Sequence, residues 1–426
     1  MRPPFSTTTR ILLALALAGV IGLGLAWASP ETGARVAGIA QPIGKLWLNA
    51  LQMTVVPLVG TLVVLGVAAA RDAAASGRIA RRAIVIFLVL LAFSASFAAL
   101  AAPAFLSFMP HSPELMEALK GAAGTPLASE PPKAADWLTG IVPSNAIAAA
   151  AASAMLPLVV FSLFFGFALT RIDELRRERL LELVQAIADV MIVIVRWVLA
   201  VAPLGVFALV LAVTAQAGAA TLQALGIYIA LVCVLYLAVT ALLYPLVRAW
   251  TGRPLGQFAT AIFPAQAVAM STQSSLASLP AMIDVSQRRL GIPLPTVSLV
   301  LPMAVSLFRL TSPVQYVAVA AFVAWAYGID IGPLQWATAV PLAVVVSLGA
   351  IGLPGQVSFM ATNMPVTQAL GLPVDPLGLL LAVDTIPDVF ATLGNVTADV
   401  SATAMTERGP SAQAPASPLA PSPRDG

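Results

Sequence analysis

Charge is scarce in this chain: Asp, Glu, Lys and Arg make up 10% of its 426 residues, while 59% are hydrophobic. A soluble protein of this length needs far more charge to cover its surface. Cysteine is reduced to Cys233 and histidine to His111. A single cysteine closes no internal disulfide, and its place inside an apolar run reads as packing. A single histidine, next to Pro110 in a loop, excludes a histidine-built metal site. The chain also lacks a Ser/His pair, an HExxH motif and carboxylates tied to a nucleophile, so it carries no catalytic constellation and is not read as an enzyme. The net charge of +3 sits in short loops and describes topology rather than affinity for nucleic acid.

What is present is a succession of Ala/Leu/Val-rich runs of membrane-spanning length, with a mean hydropathy of +0.94. Backbone groups in lipid need partners inside their own segment, so these runs are helices. An outer-membrane barrel would show short alternating segments instead. The runs predict helices over about 10–28, 44–70, 83–106, 146–170, 191–215 and 222–247, with a polar, Pro-rich segment at 107–143. Arg71, Arg78, Arg81 and Arg82 follow the second run, Arg171, Arg176, Arg177 and Arg179 the fourth, and Arg248 and Arg253 the sixth. The 107–143 segment instead holds Glu114, Glu117, Glu130 and Asp136 with only two lysines. This alternation follows the positive-inside rule with both termini in the cytoplasm of an inner-membrane protein. Arg2 and Arg10 before an apolar run, with Ala26-Trp27-Ala28 after it, also fit a signal peptide. The length of the run and the further spans behind it favour a retained first helix.

Beyond residue 254 the pattern changes. A short apolar stretch at 256–270 runs into Ser271-Thr272-Gln273-Ser274-Ser275-Leu276-Ala277-Ser278, and a helix over about 294–328 is interrupted at Phe308-Arg309-Leu310-Thr311-Ser312-Pro313. A second short stretch is interrupted at Gly349-Ala350-Ile351-Gly352-Leu353-Pro354-Gly355, and a last helix covers about 376–404. Two successive units, each an interrupted hairpin followed by a polar-bearing helix, point to the solute site of a transporter near the bilayer midplane. The tail from 406 to 426 is Pro/Ala/Ser-rich and reads as disordered.

On a straight last helix, Asp384, Asp388, Asn395 and Asp399 fall at about 0°, 40°, 20° and 60°, with Thr392 at the edge of the same stripe. Carboxylates facing lipid are costly, so these face protein, water or bound cations. Asp384, nearest an end, is the most structural of them, and Pro387 is positioned to kink the helix. Arg309 lies mid-span. Its guanidinium suits a fixed salt bridge to Asp388 or Asp399, and equally a substrate carboxylate. The serine-rich break at 271–278 offers hydroxyls and backbone amides, which favour anions at a half-helix N-terminus. The Gly349–Gly355 stretch offers unwound backbone for a gate or a cation.

Together these segments resemble the dicarboxylate/amino acid:cation symporter family, which includes the glutamate transporters and archaeal aspartate transporters. The similarity covers about residues 10–405. It is carried by Met53-Thr54-Val55-Val56-Pro57-Leu58, Met155-Leu156-Pro157-Leu158-Val159-Val160-Phe161, Ala202-Pro203-Leu204-Gly205-Val206-Phe207 and Gly352-Leu353-Pro354-Gly355. The most specific match is Asp384-x3-Asp388-x3-Thr392-x2-Asn395-Val396-Thr397-x-Asp399. The resemblance implies an all-α polytopic membrane fold of eight transmembrane helices plus two re-entrant helical hairpins. The hairpins fall at about 254–292 and 333–370, in inverted repeats of an elevator-type homotrimer. Ser274 and Ser275 would lie at the tip of the first hairpin, and Gly352, Pro354 and Gly355 at the gating tip of the second. Asp388 matches the acceptor of a substrate amino group, and Thr392 and Asn395 match substrate contacts, with Arg309 and Thr311 beside them. Asp384, Asp388, Asn395, Asp399 and Ser347 would serve cation coupling, with sodium-site positions at Asn395 and Asp399.

The departures are as informative. The family's Asn-Met-Asp-Gly-Thr signature reads Leu307-Phe308-Arg309-Leu310-Thr311, which replaces an Asp by a fixed cation. The arginine that binds a substrate side-chain carboxylate is Ala391, the third hairpin serine is Leu276, and a hairpin threonine near a sodium site is Ala350. The expectation is therefore a secondary transporter of a small dicarboxylate or amino acid, without a cofactor, whose sodium coupling is in question and whose proton coupling would run through Asp384, Asp388 or Asp399. A non-transporting membrane solute sensor, or an uncoupled carrier or channel, is the alternative; no soluble signalling domain is attached.

Overall fold

The computed structural model describes residues 7–75, 77–110, 140–349 and 355–407, and every regular element among them is helical. The chain runs α1 (Thr7–Ala28), α2 (Pro30–Gln52), α3 (Val55–Ala75), α4 (Arg78–Leu106), α5 (Ala146–Ala151), α6 (Met155–Leu169), α7 (Glu174–Ala200), α8 (Ala202–Ala217) and α9 (Ala219–Thr251). It continues with α10 (Leu255–Thr272), α11 (Ser275–Asp284) extended by a π turn (Val285–Arg289), α12 (Leu294–Leu307) and α13 (Thr311–Tyr327). The last elements are α14 (Pro333–Gly349), α15 (Gly355–Ala369), α16 (Leu377–Val383) and α17 (Thr385–Thr406). By length and composition, six spans among the described residues can cross a membrane, α2–α3 and α12–α13 each counted as one, or seven if the bent α16–α17 pair is one span. His111, the acidic residues of 107–143 and the tail beyond Glu407 lie outside the described residues.

Three spans differ from the hydropathy reading; the run expected at 146–170 is α5 and α6, broken at Ala152-Ser153-Ala154. The run expected at 44–70 is a continuous 46-residue stretch, Pro30–Ala75, broken at Met53-Thr54 into α2 and α3. Glu31, Arg35, Gln41 and Lys45 dilute the hydropathy of α2. Its buried residues, Gly33, Ala37, Ala40, Gly44, Trp47, Leu48 and Leu51, nevertheless recur at helical spacing. The run expected at 191–215 is two helices, because α7 ends at Ala200 and Pro203 in the first turn of α8 has no N–H to continue the ladder. Arg176, Arg177 and Arg179 consequently sit on the opening turns of α7, not in a loop.

Small residues set how closely these helices approach. In lipid, where no hydrophobic effect drives helices together, such contacts supply the packing. α8 packs against both α1 and α2. A Cβ on Gly44 would come 2.6 Å from Leu209 Cγ, and one on Gly205 would overlap the Trp47 ring. The Trp47 indole N–H in turn donates to the Val198 carbonyl at 3.1 Å. The first helix belongs to this group: Ala18 is fully buried and the Thr214 hydroxyl donates to its carbonyl at 3.3 Å.

The second half contains two successive units of like construction. In the first, α10 and α11 pack as a hairpin, and the following span breaks at Phe308-Arg309. In the second, α14 and α15 form the hairpin, and the following span breaks at Asp384 with a bend of 72°. Pro387 explains that bend, since it lacks the N–H for the Val383 carbonyl and its ring crowds that carbonyl. α13 is buried along nearly its whole length, as is α17 from Gly394 onward, so these two form the centre of the molecule.

The end of α17 is fastened from three sides. Arg82 Nη2 and Trp250 Nε1 both donate to the Met405 carbonyl, at 3.2 and 3.0 Å, and Thr296 Oγ1 bonds Glu407 at 2.7 Å. A cationic donor there also meets the negative end of the helix dipole. At another corner, Arg177 bonds both oxygens of Asp72, at 2.5 and 2.6 Å.

Candidate functional site

The site forms where the two broken spans meet. Phe308 is fixed by stacking on Phe87 of α4, with ring centroids 4.7 Å apart and planes 4° from parallel. The chain then leaves helical geometry through half-buried Arg309 and re-enters it at Thr311. The first N–H groups of α13 have no partner in their own helix. Asn395 of α17 supplies one: its Oδ1 accepts from Thr311 N at 3.0 Å and from Thr311 Oγ1 at 2.9 Å. The Thr311 hydroxyl also reaches the Ala391 carbonyl at 3.3 Å. Asn395 thus acts as an N-cap delivered from a different helix.

This close joint depends on Gly394. A Cβ there would lie 2.6 Å from Thr311 Cγ2 and 2.8 Å from Thr240 Oγ1. Around the joint lie the other residues singled out from the sequence. Asp388 is half-buried one turn into α17, and Thr392 donates to its carbonyl at 2.9 Å. Asp399, one turn beyond Asn395, is fully buried, and neither of its carboxylate oxygens has a hydrogen-bond partner. Among the described residues neither Asp388 nor Asp399 is in a salt bridge, yet the charge of Arg309 acts on both.

Asp384 stands apart from the stripe drawn for a straight helix, because it occupies the bend itself. Its carboxylate accepts from Gln315 Nε2 of α13 at 2.6 Å, with the buried rings of Tyr228 and Tyr236 alongside. An amide satisfies one oxygen but brings no compensating charge. Gln315→Leu removes that donor from a carboxyl that is 2% exposed. It is expected to cost about 1–3 kcal/mol, read as a lower melting temperature of the purified protein in detergent.

The first hairpin turns at Gln273-Ser274. Gln273 takes a left-handed φ of 51°, ending α10, and Ser274 caps α11 by accepting from Ala277 N at 3.2 Å. Ser275 Oγ is buried with no hydrogen-bond partner, and both arms pack against α17. In the second hairpin, Ser347 on α14 is likewise buried with an unpartnered hydroxyl. Gly355 opens α15, while Gly352 and Pro354 lie outside the described residues.

Several polar groups of this region were not singled out from the sequence. Gln315 is one. Gln266 on α10 is another, donating to Tyr244 Oη at 2.9 Å and to Thr397 Oγ1 at 2.8 Å and so tying the first hairpin to α17. Asn363 on α15 is fully buried, donates to the Phe359 carbonyl at 2.9 Å and leaves its own Oδ1 unpartnered. The available signal was the same in each case: an amide side chain within an apolar run. No cluster of three or more metal-ligating side chains occurs among the described residues.

A family model described as the sodium:dicarboxylate symporter family matches residues 7–408. The chain is 28% identical over 405 residues to the proton/glutamate-aspartate symporter of Escherichia coli (strain K12), covering 92% of this chain and 90% of that one. It is 27% identical to the proton/sodium-glutamate symport protein of Bacillus subtilis (strain 168), with 94% and 92% covered. It is 25% identical to C4-dicarboxylate transport protein 2 of Bradyrhizobium sp. (strain ORS 278), with 89% and 84% covered.

Proposed function

Because the chain belongs to the sodium:dicarboxylate symporter family, we propose that it carries a small dicarboxylate or amino acid through the α13–α17 joint, with Arg309 standing where a coupling sodium ion would otherwise compensate Asp399. The chain is a multi-pass membrane protein and a secondary transporter, not an enzyme. Its relatives bear names that span protons, sodium, glutamate, aspartate and C4-dicarboxylates.

One observation carries the reading. The N-terminus of α13 at the Arg309 break is capped by Asn395 of α17, and the same helix carries Asp388 and the unpartnered Asp399 carboxylate, both under the charge of Arg309. A half-helix N-terminus attracts a substrate carboxylate, and Asp388 supplies an acceptor for an amino group. A buried carboxylate needs a compensating charge or a proton. Arg309 supplies a fixed charge, so sodium is not required there. The coupling ion is then the proton, held by Asp384, Asp388 or Asp399. Ser274 and Ser275 bound the site from the first hairpin and Thr392 from α17, and by the family resemblance Gly352, Pro354 and Gly355 would gate it from the second hairpin. Ser347 adds a hydroxyl to its cation-coupling side.

The same reading gives eight transmembrane helices and two re-entrant hairpins in inverted repeats. α5 with α6 makes one span, α7 with α8 another, and the hairpins move with α4, α9, α12–α13 and α16–α17 as an elevator. It places the arginine-rich ends on the cytoplasmic side of the inner membrane. It also makes the assembly a homotrimer. The apolar stretch of α7 is only 17% buried within one chain, yet it carries exposed Asp189 and Arg196. Charges facing lipid at that depth are costly, and a second copy would cover them.

Uptake of labelled aspartate, glutamate, serine, succinate and malate into proteoliposomes, with proton and sodium gradients imposed separately, tests the function. Accumulation driven by the proton gradient alone is the expected result. Accumulation that follows the sodium gradient would overturn the role given to Arg309, and a lack of uptake for every solute would favour a sensor.

A further inference from the structure

Away from the joint, α3 and α6 end side by side, and between their ends lies a pocket of about 360 Å³ lined by Arg71, Phe167, Thr170 and Arg171. Arg71 is the first charge after the apolar run of α3, and Arg171 the first after that of α6. Both guanidinium groups therefore emerge at the depth where apolar span gives way to lipid headgroups. Among the described residues neither takes part in a salt bridge.

The neighbouring acid does not cancel them. Asp72, adjacent to Arg71, is held through both oxygens by Arg177, so its charge is already compensated. The Thr170 hydroxyl donates to the Phe167 carbonyl at 2.7 Å, which leaves the two guanidinium forks as the donors facing the pocket. Planar forks match the oxygens of a phosphate. Phe167, in the last turn of α6, lines the same pocket as Arg171 in the turn that follows the helix, and is 60% exposed. An aromatic ring beside paired cations at a membrane boundary suits a ligand with a charged head and an apolar body.

We propose that this pocket binds the phosphate of an anionic membrane lipid, bridging the ends of α3 and α6 through Arg71 and Arg171. The acyl chains run beside Phe167. Soluble phosphate shares the head chemistry but has no use for the exposed ring.

The full-length protein, purified in detergent and supplied with phosphatidylglycerol or phosphatidylcholine, tests the site by native mass spectrometry of retained lipid. The wild type is expected to retain phosphatidylglycerol preferentially. Arg71→Ala/Arg171→Ala is expected to lose about fivefold of that preference per arginine. Arg78→Ala/Arg81→Ala removes the same charge from exposed positions outside the pocket and is expected to keep it. Equal loss in both double variants would reduce the effect to diffuse attraction and overturn the site. Displacement of phosphatidylglycerol by millimolar inorganic phosphate would overturn the lipid assignment. Matching melting temperatures for the two variants, expected for exposed side chains, would exclude misfolding as the cause.

Discussion

Arg309→Met is expected to lower solute uptake by about a hundredfold and to destabilise the protein by about 3–5 kcal/mol, the cost of stripping a buried carboxylate of its compensating charge. Asp399 has no hydrogen bond to fall back on, and the charge that acts to compensate it is that of Arg309. The variant also gives the site a reason to take up sodium. Ligands that bind only the folded state raise its melting temperature. Sodium is therefore expected to stabilise Arg309→Met and to leave the wild type unchanged. Arg309→Met/Asp399→Asn removes the stranded charge together with the cation and is expected to recover the melting temperature. A purely substrate-binding arginine gives another pattern: carboxylate uptake falls, the melting temperature holds and sodium has no effect. That pattern would overturn the compensating role.

Much of this site was visible in the sequence because lipid removes the usual camouflage. In a soluble helix Asp388, Asn395 and Asp399 would be ordinary surface residues. In an apolar span their shared face had to mean something, and the helix that carries them does meet the break at Phe308-Arg309 through Asn395 and Thr311. Arg309 stood out for the same reason. What the pattern missed follows from treating helices as straight and hydropathy as uniform. Asp384 was drawn on the same stripe, but the bend before Pro387 separates it and hands it to Gln315. The first part of α2, 30–43, escapes the hydropathy reading because its polar face lowers the average, although the buried face keeps a helical period. Gln315, Gln266 and Asn363 carry no charge, so an amide within an apolar run was the one mark they left in the sequence. For Gln315 and Gln266 the partner on another helix makes them legible, 69 residues away for the Gln315–Asp384 bond and 131 for the Gln266–Thr397 bond, whereas Asn363 bonds the Phe359 carbonyl of its own helix.

Asn395→Leu is expected to be the second severe change, lowering uptake about tenfold or more and stability by about 1–3 kcal/mol. Leucine keeps the volume but withdraws the acceptor from both the N–H and the hydroxyl of Thr311. It leaves the first turn of α13 without its cap, and a lost cap alone costs about 0.5–2 kcal/mol. Asn395→Asp retains an oxygen for the same two donors and is expected to keep more of the stability than leucine does. Thr311→Val removes only the hydroxyl, so a double-mutant cycle with Asn395→Leu should show a coupling energy of about 0.5–3 kcal/mol. Gly394→Ala reaches the same joint by a steric route. The added methyl meets Thr311 and Thr240 at 2.6 and 2.8 Å, and overpacking of this kind costs about 1–3 kcal/mol. If the joint positions the solute as well as holding the fold, each variant raises the KM for uptake at temperatures where the protein remains folded. An unchanged KM with only a lowered melting temperature would make Asn395 a structural cap and move the solute site away from the start of α13.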